Sequence, residues 1–551
     1  MPRVHFSKIA LAAILASSAG ILHAQDAADR ATSAQVASER EVPVEDAKPR
    51  QRVEVDIQPS AVLNAPGAGL FVGAITLSGL TALHPADFAD LIAERIGRTL
   101  SSQELSALAD AVSARMRARG YPLGLARIEP QRLANGVLIV HVNEGTIDEV
   151  RFDGARHYGV ARALAPLQSG LPVTLAEVER RLLLAGDIDG VRIQQSRFVR
   201  EGEKGILLVR VSHARVRGFA GLSNQGTMPV GPDQVRLQAE FNGVLTSDDS
   251  LTLSYSATPF EPGELQFGFA RYEKRISPGG TELSLSGSAS TGRPGAYLEA
   301  LNIRNRSWFV AAGALQPLVR RRKASYWLEG ELGIRNLAQW RGSMRTRQDR
   351  LAVGRLTVYG YTDFAGGRLR TSATFSQGLG IFDATRAGDA LASRRDADGT
   401  FSAMNLWADW TSELGSNFSL RMAAQGQVSS QPLLISEELG LGGTSFLRGY
   451  DWGERTGDEG AIGMAELRYS LKDPLQLINR AQVYAFIDAG TLSNRATGFG
   501  GGSLASTGGG VRLDITLRLG LNLEVAVPIS GPRYDTSDRM PKVNFSIARS
   551  F

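Results

Sequence analysis

The sequence predicts a mixed architecture: two small α+β units followed by a sixteen-stranded antiparallel transmembrane β-barrel. Three observations carry that expectation. Residues 1–24 have the form of an export signal, residues 70–214 run twice through one order of elements, and from residue 215 onward apolar and polar residues alternate with period two.

The bulk composition bounds the alternatives. At 551 residues the chain is too long for one ordinary domain. It has no cysteine, which excludes a disulfide framework, a zinc-thiolate site and a thiol nucleophile. Hydrophobic residues make up 43%, yet beyond the N-terminus no apolar run reaches the ~18 residues that a membrane-spanning helix needs. The 61 glycines, without a collagen period, suit many turns and bends. In residues 1–24, Arg3 and Lys8 form the basic region, 9–21 the apolar stretch, and Leu22-His23-Ala24 a cleavage site before Gln25. Their removal lowers the formal net charge from +5 to +3, too little over this length to argue for a nucleic-acid partner. An exported chain without a hydrophobic anchor is either secreted in soluble form or built into an outer membrane as a barrel.

Residues 25–69 are rich in Ala, Asp, Glu and Pro with little apolar periodicity, and read as a flexible N-terminal arm or linker. A helix over 26–41 would be marginal on its own. Residues 70–146 form the first unit: a strand over 71–77, helices over 87–96 and 101–119, an extended piece at 125–128, and a closing strand at 136–142 before Asn143-Glu144-Gly145. The second helix opens on Ser101, Ser102 and Glu104 and carries Leu105, Leu108, Ala109, Val112 and Met116 on one face. Residues 147–214 repeat the β-α-α-β-β order: a strand at 147–152, helices near 161–166 and 174–184, strands near 191–198 and 205–211.

Residues 215–551 form the barrel. Leu251, Leu253 and Tyr255 alternate with Thr252, Ser254 and Ser256; Phe418, Leu420, Met422 and Ala424 alternate with Ser419, Arg421, Ala423 and Gln425. Apolar residues occupy every second position from Val511 to Ile529. Such alternation means one oily face and one wet face. Tight connections near 411–416 and 472–480 take turns with long ones at 379–400, 440–460 and 528–541, the asymmetry of a transmembrane barrel rather than of a soluble sandwich. The chain closes on an alternating strand, 542–551, ending in Phe551, like the terminal signal that barrel-assembly machinery reads on outer-membrane barrels. Sixteen or seventeen segments can be counted. Both barrel ends must lie on the side of the α+β units, which demands the even number and leaves 21 residues per strand and connection. By that count the glycine-rich segment 440–460 follows strand eleven and starts on the external side.

No catalytic constellation is visible: there is no G-x-S-x-G elbow, no H-E-x-x-H, no P-loop and no histidine in the barrel. The histidines at 84, 141, 157 and 213 are not at metal-ligand spacings, so neither an enzyme nor a metal or other cofactor is expected. What does draw the eye is the run GLGGTSFLRGYDWGERTGDEG at 440–460, seven glycines around Arg448, Tyr450 and Trp452. Glycine at that density lets backbone approach backbone closely. Farther on, VYAFIDAG at 483–490 places Tyr484, Phe486 and Asp488 on one strand face, and the lumen is the cheaper place for the carboxylate. On residues alone, Arg448 and Asp488 are either a bidentate pair or two separate charges in a wet pore.

The two motifs, LGGTSFLRGYDWGERTGDEG and VYAFIDAG, together with the tandem units carrying Gly120-Tyr121, Pro130 with Leu133, and the closing Asn-Glu-Gly, resemble the TpsB family of two-partner secretion outer-membrane transporters (the ShlB/FhaC/HecB-like haemolysin secretion/activation proteins). The resemblance covers the chain from Leu70 onward. It implies two periplasmic POTRA domains, a barrel in the cell outer membrane, and a loop folded back into the lumen. It pairs Arg448 with Asp488, with Gly449 and Tyr450 in the latch and Gly442, Gly443, Phe486 and Gly490 at supporting positions. It also implies passage of a large unfolded TpsA-like exoprotein of haemagglutinin or haemolysin type, contact with outer-membrane lipid, and no nucleic acid. The barrel-assembly insertases of the same superfamily are the alternative. The arm is not a clear helix, so the family's plug helix is not expected from it.

Overall fold

The computed structural model describes residues 53–55 and 69–551, apart from 132, 155, 203, 475–477 and 497–499. The export signal, and the arm apart from 53–55 and 69, fall outside the described residues.

The first unit is a three-stranded sheet in which Ala74–Ser78 runs parallel to Val137–Asn143, with Leu125–Arg127 antiparallel on its far edge. Helix Ser102–Ala118 covers it, burying Leu105, Leu108, Ala109, Val112 and Met116. A capping box starts that helix: the Ser101 side chain accepts from the Glu104 N–H, and the Glu104 carboxylate accepts from the Ser101 N–H. The sequence reading of one strand over 71–77 needs correction. The strand breaks at Gly73, whose N–H turns to the Gly136 carbonyl at 2.7 Å, and Leu70–Val72 pairs instead with an extra strand, Arg98–Leu100. Glu144 of the Asn-Glu-Gly triplet is buried and accepts the N–H groups of Thr81, Ala82 and Leu83 at 2.6–2.8 Å. Burial opposes its ionisation, but these bonds and the Thr81 hydroxyl outweigh it and hold the carboxyl below its usual range.

In the second unit, Glu149–Asp153, Lys204–His213 and Val191–Glu201 form one sheet under helices Tyr158–Leu164 and Leu175–Gly186. Val53–Val55, within the segment read as a flexible arm, adds a fourth strand parallel to Ser196–Phe198.

The chain then enters a closed barrel of sixteen antiparallel strands. In order they are Val216–Ser223, Gln234–Asn242, Asp249–Ala257, Gln266–Arg275, Glu282–Gly292, Ile303–Arg320, Ala324–Arg341, Met344–Phe364, Gly367–Leu379, Ser402–Glu413, Phe418–Ser429, Glu459–Lys472, Arg480–Ser493, Gly502–Asp514, Leu519–Pro528 and Lys542–Ser550. The long apolar alternation through 511–529 spans two of these strands. A turn at 515–518 interrupts it, and Val511 and Leu513 pair with Leu523 and Leu521, so the odd positions stay on one face. The sixth, seventh and eighth strands have 18, 18 and 21 residues, about twice the ~10 that a membrane requires.

The second unit docks on three turns at one end of the barrel. Arg162 pairs with Asp248, Arg320 with Asp187 at 2.5 Å, and Arg322 with Glu179 at 3.3 Å; Arg275 donates to the Leu184 carbonyl at 2.5 Å. These partners flank the connections after strands two, four and six, so that end is periplasmic and the connection after strand eleven opens outside.

Candidate functional site

That connection, residues 430–458, does not stay outside. It folds into the lumen as a hairpin whose stem pairs Leu439–Leu441 with Arg455–Gly457. Leu439, Leu441, Phe446, Leu447 and Tyr450 pack against Ile462, Met464, Leu492 and Leu504 of the wall. Apolar side chains on a lumen-facing wall are what the hairpin covers, and their burial holds it there.

At the turn and at the tip, sterics leave room only for glycine. At Gly442, with φ +101°, a Cβ would sit 1.9 Å from the Asp451 carbonyl oxygen inside the hairpin. At Gly449 a Cβ would lie 2.9 Å from the Ser506 Cβ and 3.0 Å from the Pro528 nitrogen and the Val527 carbonyl carbon. The tip therefore rests backbone-on-wall. The Gly449 N–H reaches the Ser506 hydroxyl at 3.3 Å, and the Tyr450 hydroxyl donates to the Gly531 carbonyl at 3.0 Å.

Between those contacts Arg448 enters a pocket of carboxylates and is 3% exposed. Its backbone N–H donates to Asp488 at 3.0 Å, and Nε and Nη2 donate to the two oxygens of the same carboxylate at 3.3 Å each. Nη1 donates to Glu466 at 2.7 Å and to Glu524 at 3.2 Å. The guanidinium carbon sits over the Phe486 ring, 3.4 Å from its centre. The acids are shared in turn: Glu466 also accepts from Arg468 at 2.6 Å and Arg512 at 2.8 Å, and Glu524 from the Tyr484 hydroxyl at 2.9 Å. Three carboxylates thus face three guanidiniums, and a planar fork reaches two acids at once where an ammonium could not.

The fourteenth strand makes room for this. Gly508 and Gly510 stand opposite Phe486 and Tyr484; a Cβ at either would come within 2.7 Å of the aromatic side chain and closer still to backbone.

The sequence-predicted residues Arg448, Gly449, Tyr450, Asp488 and Phe486 are brought together. Gly443 lies under Trp452, and Gly490 against Leu441 and Ile462. Glu466 and Glu524 were missed, as was Arg512. Their signal was faint: even-numbered charges on strands whose odd positions are apolar. Arg421 and Arg468, two further lumen-facing arginines, are tied to buried acids, Arg421 to Asp409 at 2.7 Å and Arg468 to Glu466. Among the described residues no group of acidic or histidine side chains is arranged to hold a metal.

A second buried cluster fixes the root of the hairpin. Asp458, fully buried, accepts the Leu433 N–H at 2.8 Å, the Arg495 N–H at 2.7 Å and Arg394 Nη1 at 2.7 Å. Arg394, from the long connection after strand nine, also reaches Glu438 at 2.6 Å.

A closed sixteen-stranded barrel, entered from α+β units at one end and holding an external loop in its lumen, is the build of an outer-membrane barrel with an occupied channel. Residues 202–513 match the haemolysin secretion/activation protein family ShlB/FhaC/HecB, and residues 70–145 match the ShlB-type POTRA domain. The chain belongs to that family: it is an outer-membrane transporter of the two-partner secretion type, with POTRA structure in the periplasm. It is 25% identical over 487 residues to the outer membrane transporter CdiB of Escherichia coli O6:K15:H31, covering 82% of this chain and 78% of that one. It is 21% identical over 399 residues to the heme/hemopexin transporter protein HuxB of Haemophilus influenzae strain 86-028NP, covering 70% and 69%. The solved structure of CdiB from Escherichia coli shares the fold at a TM-score of 0.70 and 21% identity, over 90% of this chain and 93% of that one.

Proposed function

We propose that this transporter captures one large exoprotein, unfolded, in the periplasm and passes it outward through the barrel, with the Arg448 tip acting as a latch rather than a catalyst. The observation that supports the latch is the buried pocket of Asp488, Glu466 and Glu524 around a single loop arginine. A carboxylate cluster of that kind is costly without its cation, so the loop has one strongly preferred seat.

Capture would proceed by strand addition to a sheet edge of the α+β units, for which we propose the boundaries 70–146 and 147–214. In the second unit Val53–Val55 covers the edge at Ser196–Phe198, so a client strand adding there must displace it. The exposed C-terminal Phe551, whose N–H donates to the Gly218 carbonyl across the closing seam at 2.9 Å, would have served as the assembly signal. Deleting the gene tests the reading: the exoprotein should accumulate in the periplasm while other outer-membrane proteins assemble normally. A general barrel-assembly defect would point instead to an insertase.

A further inference from the structure

The overlong sixth to eighth strands carry charge where the lipid ends. On the sixth strand the even positions from Trp308 to Leu318 face outward and, Gln316 apart, are apolar, about 33 Å of strand at ~3.3 Å per residue. Tilted by about 40°, that is the ~25 Å apolar band of an outer-membrane barrel. Register carries the band across: Val310 stands beside Ile334 and Ala352, and Ala312 beside Leu332 and Gly354.

Immediately beyond it on the external side come Arg306 and Arg304 of the sixth strand, Trp340 of the seventh and Arg345 of the eighth, with Arg304, Trp340 and Arg345 in one register row. The three guanidiniums surround the Trp340 ring at 5.1, 5.9 and 5.2 Å from its centre. Among the described residues none of the three forms an ion pair; Arg345 donates to Gln348 at 2.7 Å, and the Arg304 Nε is buried without a hydrogen-bond partner. At the opposite, periplasmic end of the same strands, Arg320 and Arg322 are matched by Asp187 and Glu179. Lumen arginines 271, 355, 421, 448, 468 and 512 are matched too.

We infer that Arg304, Arg306 and Arg345, set around Trp340, form a binding face for the phosphate groups of lipopolysaccharide in the outer leaflet. Three forked donors at headgroup height, set around one indole and lacking protein carboxylates, suit a phosphorylated glycolipid whose acyl chains lie along the apolar band below. The row is on the lipid side of the wall, so the ligand is a neighbour in the membrane and not the cargo.

The test uses the full chain purified in detergent, with native mass spectrometry and the temperature of the heat-modifiable transition as readouts. Bisphosphorylated lipopolysaccharide should bind and raise that temperature. The same lipid after dephosphorylation, and inorganic phosphate alone, should not. The R304Q/R306Q/R345Q variant should fold as wild type without lipid and bind lipopolysaccharide about tenfold more weakly, about 1.4 kcal/mol. The exposed single change R345Q should show a smaller loss and keeps the test open if the triple variant folds poorly. Equal binding by these variants, equal binding of the dephosphorylated lipid, or an equal effect of phosphate alone would overturn the assignment.

Discussion

The hairpin that fills the lumen is held at two places by opposite means. At its tip one cation, Arg448, enters a pocket of three carboxylates on the wall. At its root one carboxylate, Asp458, gathers two backbone N–H groups and the guanidinium of Arg394 from three separate external segments. The tip puts all of its charge pairing on a single side chain, beside the Gly449 and Tyr450 hydrogen bonds and the apolar packing. The root shares its bonds among loops and keeps most of them if any one partner leaves. A loop that must move while staying attached would be built this way, with one releasable end and one durable end.

The largest expected effect follows from removing the tip cation. Arg448→Ala leaves three buried acids around a void, a loss of about 3 to 5 kcal/mol, and should abolish secretion while the barrel remains heat-modifiable. Wild-type secretion by this variant would remove the latch. Arg448→Lys should recover only a minor part, because one ammonium cannot chelate Asp488 and also reach Glu466. Next comes Gly449→Ala, whose Cβ cannot fit against Val527 and Pro528; the tip should lift and become cleavable by protease added to whole cells. An uncleaved loop would mean that the wall gives way instead. Arg394→Ala should do less. Asp458 keeps the Leu433 and Arg495 N–H groups, so secretion should stay near normal while the long connection after strand nine becomes more protease-sensitive.

The smallest effect lies at the periplasmic dock and should leave both ends of the hairpin alone. His157 and His213 sit ring to ring at 4.8 Å. Burial pushes both below the ordinary value of 6.5, His157 further through its neighbour His213, and His213 through Arg215 and Arg217. The folded state therefore binds fewer protons at these histidines than the unfolded one. Stability present above pH 6.5 should fall as the pH drops below it, and His157→Gln should flatten that pH dependence of the thermal unfolding temperature.

Much of this was legible from one rule. Period-two alternation marked the barrel strands, and an even count put the hairpin's start outside. The motif arginine and aspartate were visible because they sit among unusual neighbours. Glu466 and Glu524 were hidden because a lumen-facing acid on an alternating strand looks like any other wet residue. The length of the sixth to eighth strands was hidden too, since the pattern passes from lipid to water without a turn. Arg98–Leu100 and Val53–Val55 are three residues each, too short for any periodicity to register.

The glycines of the fourteenth strand give the site its last property. What Gly508 and Gly510 contribute is empty volume: the aromatic rings of Phe486 and Tyr484 lie down into it and raise no ridge in the channel. The floor beneath the arginine is a casting whose mould is bare backbone. Filling it would lift the rings, and the cation with them, without touching a single charge.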